Sequence, residues 1–208
     1  MLGIIDKVIK HAAKTKGGVD VNTGYNYPQL ISKFAMGAVF YNQAIDNYLD
    51  EKLAADNKPN SKPYKDGAHY TGKEHVWDEA WGYWGAAAHS NTLSPKENYE
   101  ITKMKNLGAA DLNGDGMVDL KSEYVFAHAY YAAGFDKGGK TNYMQTVNNA
   151  FLNGRKLITS ANGENLTDAE RANLMGYAKV IGSNWEKVIA EAVFKYAGSV
   201  YKDMNKLS

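Results

Sequence analysis

The chain reads TDAERANLMGYAKVIGSNWEKVIAEAVFKY from Thr167 to Tyr196, a pattern that predicts one long amphipathic helix. Thr167 and Glu170 have the spacing of a capping box, in which each side chain accepts a hydrogen bond from the backbone N–H of the other residue. Apolar side chains then recur every three or four residues, which places them on one face of a helix. They are Leu174, Ala178, Ile181, Trp185, Ile189, Ala192 and Tyr196.

Apolar residues at helical spacing continue through most of the remaining chain. They predict helices over residues 2–15, 28–54, 72–90, 120–133 and 141–158. No strand pattern survives beside them, so the sequence predicts an all-α fold, a helical bundle. We expect one domain over residues 1–208, with a peripheral N-terminal helix and loop at 1–24 and the bundle at 25–205.

The composition excludes several classes of protein. A net charge of +1 gives no support for binding nucleic acid or an anionic membrane surface. The chain has no cysteine, so disulfides, thiolate metal sites and cysteine nucleophiles are ruled out. No run approaches the ~18 apolar residues that a transmembrane helix needs. The first ten residues lack the pattern of a signal peptide, so an export signal would lie outside this sequence.

A second informative stretch reads DLNGDGMVDLKSE from Asp111 to Glu123. Side chains with oxygen atoms alternate along it, and a sharp turn is expected at Gly116. A hard cation such as Ca²⁺ takes six to eight oxygens at ~2.3–2.6 Å, and a tight loop with this spacing supplies them. The predicted calcium-binding residues are Asp111, Asn113, Asp115, Met117, Asp119 and Glu123.

The end of this loop departs from the EF-hand template, so we call it EF-hand-like. The template places a bidentate glutamate at position 12, where this chain has Ser122, with Glu123 one residue later. Either the loop bulges so that Glu123 reaches the ion, or Asp119 and water complete the shell. The alternative without calcium is a turn that caps a helix beginning near Leu120. Loosely closed sites suit the millimolar calcium outside cells, which favours a structural Ca²⁺ in a periplasmic or cell-surface protein.

The predicted third helix, residues 72–90, has two different faces. Three tryptophans share one side, and a helical aromatic stripe is expected in the core: they are Trp77, Trp81 and Trp84. Gly82 and Gly85 on the other side would allow a neighbouring helix to approach closely. The expected neighbour is the helix that contains Asn42, Gln43 and Asp46, whose side chains would support a buried polar cluster.

His75, Asp78 and Glu79 project from that second face within one turn. His75 and Glu79 stand four residues apart, as two ligands of one metal would. An imidazole with one or two carboxylates suits Fe or Zn better than Ca²⁺. The alternative is a structural His–Glu pair with a neighbouring acid that bonds to the next helix. The sequence is compatible with both the metal site and the structural pair.

Three segments of the chain resemble a known family. They are GAVFYNQ at 37–43, EHVWDEAWGY at 74–83 and NGDGMVDLKSEY at 113–124. Together with NAFLNGR at 149–155 and WEK at 185–187, they resemble a family of bacterial exported lipoproteins of unknown function. The resemblance extends over about residues 25–205. That family is distantly similar to the imelysin-like proteins, which are helical and associated with iron regulation.

The resemblance implies an imelysin-like helical fold and a metal role near His75. The imelysin motif is Gly-x-His-x-x-Glu; His75 matches its histidine, Asp78 stands where its glutamate would be, and Gly72 is displaced by one residue. Members of the family are usually longer, with an export signal and further N-terminal helices. This chain therefore resembles their C-terminal part, and such missing helices are an expected partner.

Three functions are compatible with these observations. The favoured one is an extracytoplasmic protein that binds a metal or a small ligand, has a structural calcium site, and is linked to iron acquisition. The second is an imelysin-like hydrolase with a metal-bound water and Glu79 or Asp78 as base, although no further base or nucleophile is identifiable. The third is a calcium-stabilised surface scaffold. A satisfied His75–Glu79 pair without a cavity favours the scaffold, and an open coordination position beside a cleft favours the hydrolase.

Overall fold

The structure, a computed structural model, describes residues 2–54 and 58–207. Within these ranges the regular structure is helical and no strand is present, so the predicted all-α class is confirmed. Met1, residues 55–57 and Ser208 belong to the predicted domain but lie outside the described residues.

The helices follow one another along the chain, with the longest connections between α1 and α2, between α3 and α4, and between α6 and α7. They are α1 (Leu2–Lys14), α2 (Tyr27–Phe34), α3 (Lys52–Ala54), α4 (Gly72–Trp84), α5 (Pro95–Thr102), α6 (Leu107–Ala110), α7 (Ala127–Asp136), α8 (Tyr143–Ser160) and α9 (Asp168–Leu207). Two π-helical segments, Ala35–Tyr41 and Gln43–Glu51, continue α2 to α3, which matches the helix predicted over 28–54. Among the described helices, none has both the length and the apolar character needed to cross a membrane.

Two predicted helix boundaries are wrong, for local reasons. The third helix, α4, ends at Trp84 instead of residue 90, because Gly85 turns the chain with a φ of 86° in the left-handed region. The helix predicted from 120 begins only at Ala127. The residues before it form turns whose backbone N–H groups bond to Asp119 and Glu123.

The core lies where α4 and α9 pack against α8. The rings of Trp84 and Trp185 meet edge to face, with centroids 4.9 Å apart, and both residues are fully buried. The indole N–H of Trp77 donates to the backbone oxygen of Phe151 on α8 at 2.8 Å. These contacts confirm the predicted core positions of Trp77 and Trp84, and the packing of an aromatic ring with its N–H bonded is favourable in a core.

Trp81 and Gly82 differ from the prediction. Trp81 is only partly buried, because it lies at the rim of the α4–α8 contact, where its ring meets Phe151 at 5.4 Å. A Cβ atom at Gly82 would meet nothing within 4 Å, so no helix approaches there. The closest approach to α4 occurs instead at Gly154 of α8, where a Cβ would lie 2.1 Å from the Trp77 ring.

The first turns of α9 and α8 are capped in different ways, by a local capping box in α9 and by a residue of the preceding helix in α8. The predicted capping box is present: Thr167 N–H donates to Glu170 Oε2 at 2.9 Å, and Glu170 N–H donates to Thr167 Oγ1 at 3.3 Å. At α8 the acceptor is Asp136, the last residue of α7, which accepts the first two N–H groups of the helix. Asp136 therefore caps a helix to which it does not belong.

His128 is a buried histidine in the middle of the bundle. Its ring lies 5.5 Å from the ring of Trp185, and the positive charge of Lys33 acts on it. Burial, reinforced by Lys33, lowers the pKa of His128 from 6.5 to about 4. The folded protein therefore holds this side chain in its neutral form at physiological pH.

We expect His128 to make the fold acid-sensitive. The pKa is lower in the folded than in the unfolded chain, so the unfolded state binds the proton first and stability falls as pH drops from 6.5 towards 4. The loss at pH 5 relative to pH 7.5 should be about 2 kcal/mol. Urea unfolding at a series of pH values measures it. The variant His128→Phe should lose this part of the slope, whereas His69→Gln, at an exposed histidine, should keep it.

Candidate functional site

The loop from Asp111 to Glu123 wraps around its own acidic side chains. Gly114 and Gly116 have φ values of 74° and 81°, which bend the chain at two points where residues with a Cβ would be strained. Asp111 accepts the N–H groups of Gly114, Asp115 and Gly116 at 2.7, 3.1 and 2.9 Å. The turn predicted at Gly116 is confirmed, and the carboxylate of Asp111 lies inside it.

Glu123 closes the loop through backbone contacts. One carboxylate oxygen accepts the N–H groups of Leu112 and Asn113 at 3.0 and 3.2 Å, and the other accepts that of Asp119 at 2.8 Å. Only 2% of this residue is exposed, so the loop ends are joined at a buried carboxylate. In this structure Glu123 therefore holds the two halves of the loop together.

The remaining predicted calcium-binding side chains lie on the loop surface. Asp115 accepts the N–H of Met117 at 2.8 Å, and the Asn113 amide donates to Asp115 at 3.2 Å. The pKa of Asp119 lies below its ordinary value because the Lys121 N–H and then the Ser122 hydroxyl donate to the carboxylate. Each carboxylate oxygen has two lone pairs, so N–H bonding leaves acceptor capacity in the loop.

One hydrogen bond joins this loop to the chain that follows α4, and two more join residues that flank the loop to the same chain. Ala88 N–H donates to Ser122 O at 2.7 Å, and Phe126 N–H donates to Gly85 O at 2.9 Å. On the other side of the loop, His89 Nε2 lies 2.8 Å from Ala109 O. The segment 85–89 is thus hydrogen-bonded to residues at both ends of the loop.

His75 and Glu79 form a pair beside two tyrosines. The distance from His75 Nε2 to Glu79 Oε1 is 3.4 Å, and neither side chain is fully buried. The His75 ring centroid lies 3.8 Å from that of Tyr64 and 5.6 Å from that of Tyr70. The structure therefore brings together two of the three predicted metal ligands, in a tyrosine-lined environment.

Asp78, the third predicted ligand, is bonded to Arg155 of α8. Arg155 Nε donates to its two carboxylate oxygens at 2.9 and 3.1 Å, while Nη1 donates to Glu74 at 2.6 Å. Burial raises the pKa of Asp78 despite Arg155. For Glu74 burial also raises the pKa, but the Thr71 N–H and Arg155 outweigh it, and the net shift is downward. Asp78 thus points to α8 and not to His75.

The predicted polar cluster is only partly assembled. Burial raises the pKa of Tyr48; a hydrogen bond with Gln43 lowers it and a hydrogen bond with Glu79 raises it, and the net shift is upward. Gln43 and Glu79 are therefore joined through Tyr48, as the meeting of the two helices requires. Asn42 and Asp46 are exposed and bond to each other. Among the described residues, no three His, Asp or Glu side chains are grouped closely enough to hold a metal ion.

A cleft of about 420 Å³ opens beside the Asp78–Arg155 pair, between α4, α8 and the segment 88–92. Trp81 and Phe151 form its apolar wall, and His89 and Asn91 supply polar groups. A volume of this size is typical of small-molecule sites, which lie at roughly 300–1,000 Å³. Sequence reasoning missed the cleft, because its lining comes from three segments that only the fold brings together.

One comparison with known proteins gives a match. A family model described as Domain of unknown function (DUF4856) matches residues 17–196, which is most of the chain. No curated protein and no solved structure is similar enough to match. The imelysin-like and lipoprotein parts of the resemblance stay predictions.

Proposed function

The chain belongs to the DUF4856 family, and we propose that it is a calcium-stabilised helical protein that binds a small ligand outside the cytoplasm. The observation that carries the proposal is the hydrogen bonding of the loop 111–123 and its flanking residues to the segment 85–89, whose residues Ala88 and His89 line the cleft. Ordering this loop would order the wall of a ligand site.

The donor set of the loop supports calcium as the cation. Asp111, Asn113, Asp115, Asp119 and the backbone oxygen of Met117 are all oxygen ligands, which a hard cation prefers. The carboxylates of Asp111, Asp115 and Asp119 would repel one another if they were drawn together, and a divalent cation would relieve that repulsion. Bound calcium would draw side chains that now accept backbone N–H groups into one coordination shell. Millimolar extracytoplasmic calcium suits a surface loop of this kind.

Calcium should raise the melting temperature of the protein. A ligand at a hundred times its Kd stabilises the native state by about 2.7 kcal/mol, which corresponds to roughly 5–10 °C for a chain of this size. The measurement is thermal unfolding followed by circular dichroism, in excess calcium and in excess chelator. Asp115→Ala should remove most of the difference between the two curves.

Lys121→Ala is the matched control, because Lys121 lies in the same loop and is exposed. It should keep the full calcium-dependent shift. Only the difference between the calcium and chelator curves of each variant is compared, so a general loss of stability does not affect the test. Identical curves for the unaltered protein under both conditions would contradict the proposal.

A metal at His75 is the second candidate, and the 3.4 Å contact between His75 and Glu79 favours it. A metal at His75 would account for the imelysin-like link to iron, and the hydrolase alternative also requires it. Both need a third ligand, and Asp78 would have to leave Arg155 to supply it. Elemental analysis of protein purified without chelator separates the candidates: calcium alone supports the loop site, and stoichiometric iron or zinc supports His75.

A further inference from the structure

The last turns of α9 are exposed on every side of the helix. Each residue from 193 to 206, a segment that we call the α9 tail, is exposed, whereas the helix before it packs in the bundle. Single exposed apolar residues are ordinary, but the tail exposes five large ones within four turns. They are Val193 (61% exposed), Phe194 (74%), Val200 (59%), Tyr201 (67%) and Met204 (62%).

The side of α9 that packs in the bundle becomes polar in the tail. Within the bundle it carries residues at alternating steps of four and three, each at most 7% exposed: Leu174, Ala178, Ile181, Trp185 and Val188. The same steps continue through Ala192 to Lys195, Ser199, Lys202 and Lys206. The pattern that packs α9 in the bundle therefore stops where the tail begins.

A second apolar stripe begins on another side of the helix. Alternating steps of three and four residues connect Ala190, Val193, Ala197, Val200 and Met204, all of them exposed. At ~100° per residue, this stripe lies about 120° around the helix from the one that packs in the bundle. An apolar repeat of 3.5 residues is the pattern with which two helices pack along each other. The tail therefore carries a helix-packing surface that the bundle does not use.

The stripe is complementary to itself when two copies run antiparallel. With a two-fold axis between residues 198 and 199, Ala197 of one copy faces Val200 of the second copy, and Val193 faces Met204 of the second copy. Because of the symmetry each of these contacts occurs twice. In the central layers a small residue thus faces a larger one, which lets the two helices approach closely.

The aromatic residues beside the stripe fit the same arrangement. Phe194 and Tyr201 lie seven residues apart on one flank of the stripe, and both are at least two-thirds exposed. In the antiparallel pair, Phe194 of each copy faces Tyr201 of the other. Aromatic pairs of this kind contribute more than their buried area alone.

Charge along α9 also favours the antiparallel direction. Residues 186–191 contain two glutamates and one lysine, a net charge of −1, whereas residues 195–206 contain three lysines and one aspartate, a net charge of +2. An antiparallel pair brings the acidic segment of each copy to the basic end of the other, and a parallel pair would place like charges side by side. The helix dipoles are opposed in the antiparallel pair as well.

The size of the contact sets the expected affinity. Two helices that pack over residues 190–206 share a length of about 25 Å, at ~1.5 Å per residue. Such a contact lies near the lower limit of about 1,000 Å² for a specific interface. We therefore expect reversible association with a Kd of about 10–100 µM.

We infer that the protein forms a homodimer in which the α9 tails of two copies pack antiparallel along the second apolar stripe. The stripe, its exposure and the charge along the helix each support a second copy as the partner. The inference depends neither on calcium nor on a small ligand, so it stands or falls separately from the proposed function.

Sedimentation of the full chain at concentrations from about 5 to 300 µM tests the inference, since this range spans the expected Kd. The protein should be mainly monomeric at the lowest concentration and mainly dimeric at the highest. A monomer at every concentration would leave the stripe to a different partner and would overturn the inference.

Two glutamate variants locate the contact. Val200→Glu should weaken dimerisation at least about hundredfold, because it would bury an unpaired charge in a central layer. Ser199→Glu is the matched control: the neighbouring residue is also exposed but lies on the polar side of the tail, so its Kd should stay within about threefold of the original. Circular dichroism verifies that both variants remain folded. A dimer that survives Val200→Glu would show that the stripe is not the interface.

Introduced cysteines report the direction of the two helices, because the chain itself has none. A mixture of Val193→Cys and Met204→Cys should form a disulfide between the two variants on mild oxidation. Val193→Cys alone should not, since its two copies would be about 16 Å apart along the pair, and a disulfide needs Cα atoms within about 7 Å. Cross-linking of Val193→Cys with itself, or none in the mixture, would contradict the antiparallel dimer.

Discussion

Replacing Gly154 by alanine should destabilise the protein by about 3 kcal/mol or more, the upper end of the typical cost of overpacking a core. The new Cβ would lie 2.1, 2.6 and 2.7 Å from three atoms of the Trp77 ring. Trp77 cannot easily move away, since it is 1% exposed and its N–H is bonded to Phe151 O at 2.8 Å. The helices α4 and α8 must therefore separate. Urea unfolding measures the loss.

Gly176→Ala is the matched control for this change. Gly176 lies in the helix α9, is exposed, and has nothing within 4 Å of its Cβ position. Alanine is the better helix former by about 1 kcal/mol, so this variant should be as stable as the original protein or slightly more stable. Equal stability of Gly154→Ala and the original protein would show that Trp77 does not lie on the backbone of α8.

Replacing Asp136 by alanine should cost about 4 kcal/mol, because three donors lose a buried charged acceptor. The carboxylate accepts the Thr141 hydroxyl at 2.6 Å and the N–H groups of Tyr143 and Met144 at 2.9 and 2.7 Å. Asp136 is 1% exposed, so water does not replace these bonds. The first turn of α8 would be left without acceptors.

The isosteric variant Asp136→Asn distinguishes this role from simple packing. Its amide would turn N–H donors towards the backbone N–H of Tyr143 or Met144, which can only donate, so the variant should lose about 2 kcal/mol although the shape is kept. Asp203→Asn, at an exposed carboxylate paired with Lys206, should change stability by less than about 0.5 kcal/mol. Unfolding free energies from urea titration test all three variants. A fully stable Asp136→Asn would show that charge and acceptor capacity are not needed there.

The position of the loop 111–123 in the fold explains how calcium binding could influence the binding of a small ligand. Ser122 of the loop bonds to Ala88, Phe126 just after the loop bonds to Gly85, and Ala109 just before it bonds to His89. His89 lies in the wall of the cleft. Calcium bound in the loop would therefore stabilise the proposed ligand site through the backbone, without contacting the ligand.

The features that the sequence predicted best are those formed by residues close together in the chain. The turn at Gly116 and the capping box at Thr167 were both predicted correctly, because each is closed by hydrogen bonds over five residues or fewer. The contact between His75 and Glu79 was predicted for the same reason, since they face each other across one helical turn. The partner of Asp78 was not predicted, because Arg155 lies 77 residues away in the sequence.

The sequence by itself therefore determined that the chain is helical, the capping box at Thr167 and the turn of the acidic loop. The period of apolar residues and short-range hydrogen bonds act within a few residues of the chain. Only the tertiary structure decided where Trp81 lies, which acceptor caps α8, and that His89, Asn91 and Arg155 line one cleft. These features depend on the crossing angles and distances between helices, which are set by side-chain packing. The contact of Trp77 with Gly154 is the clearest example, because it lets α4 and α8 approach closely enough to form the cleft beside them.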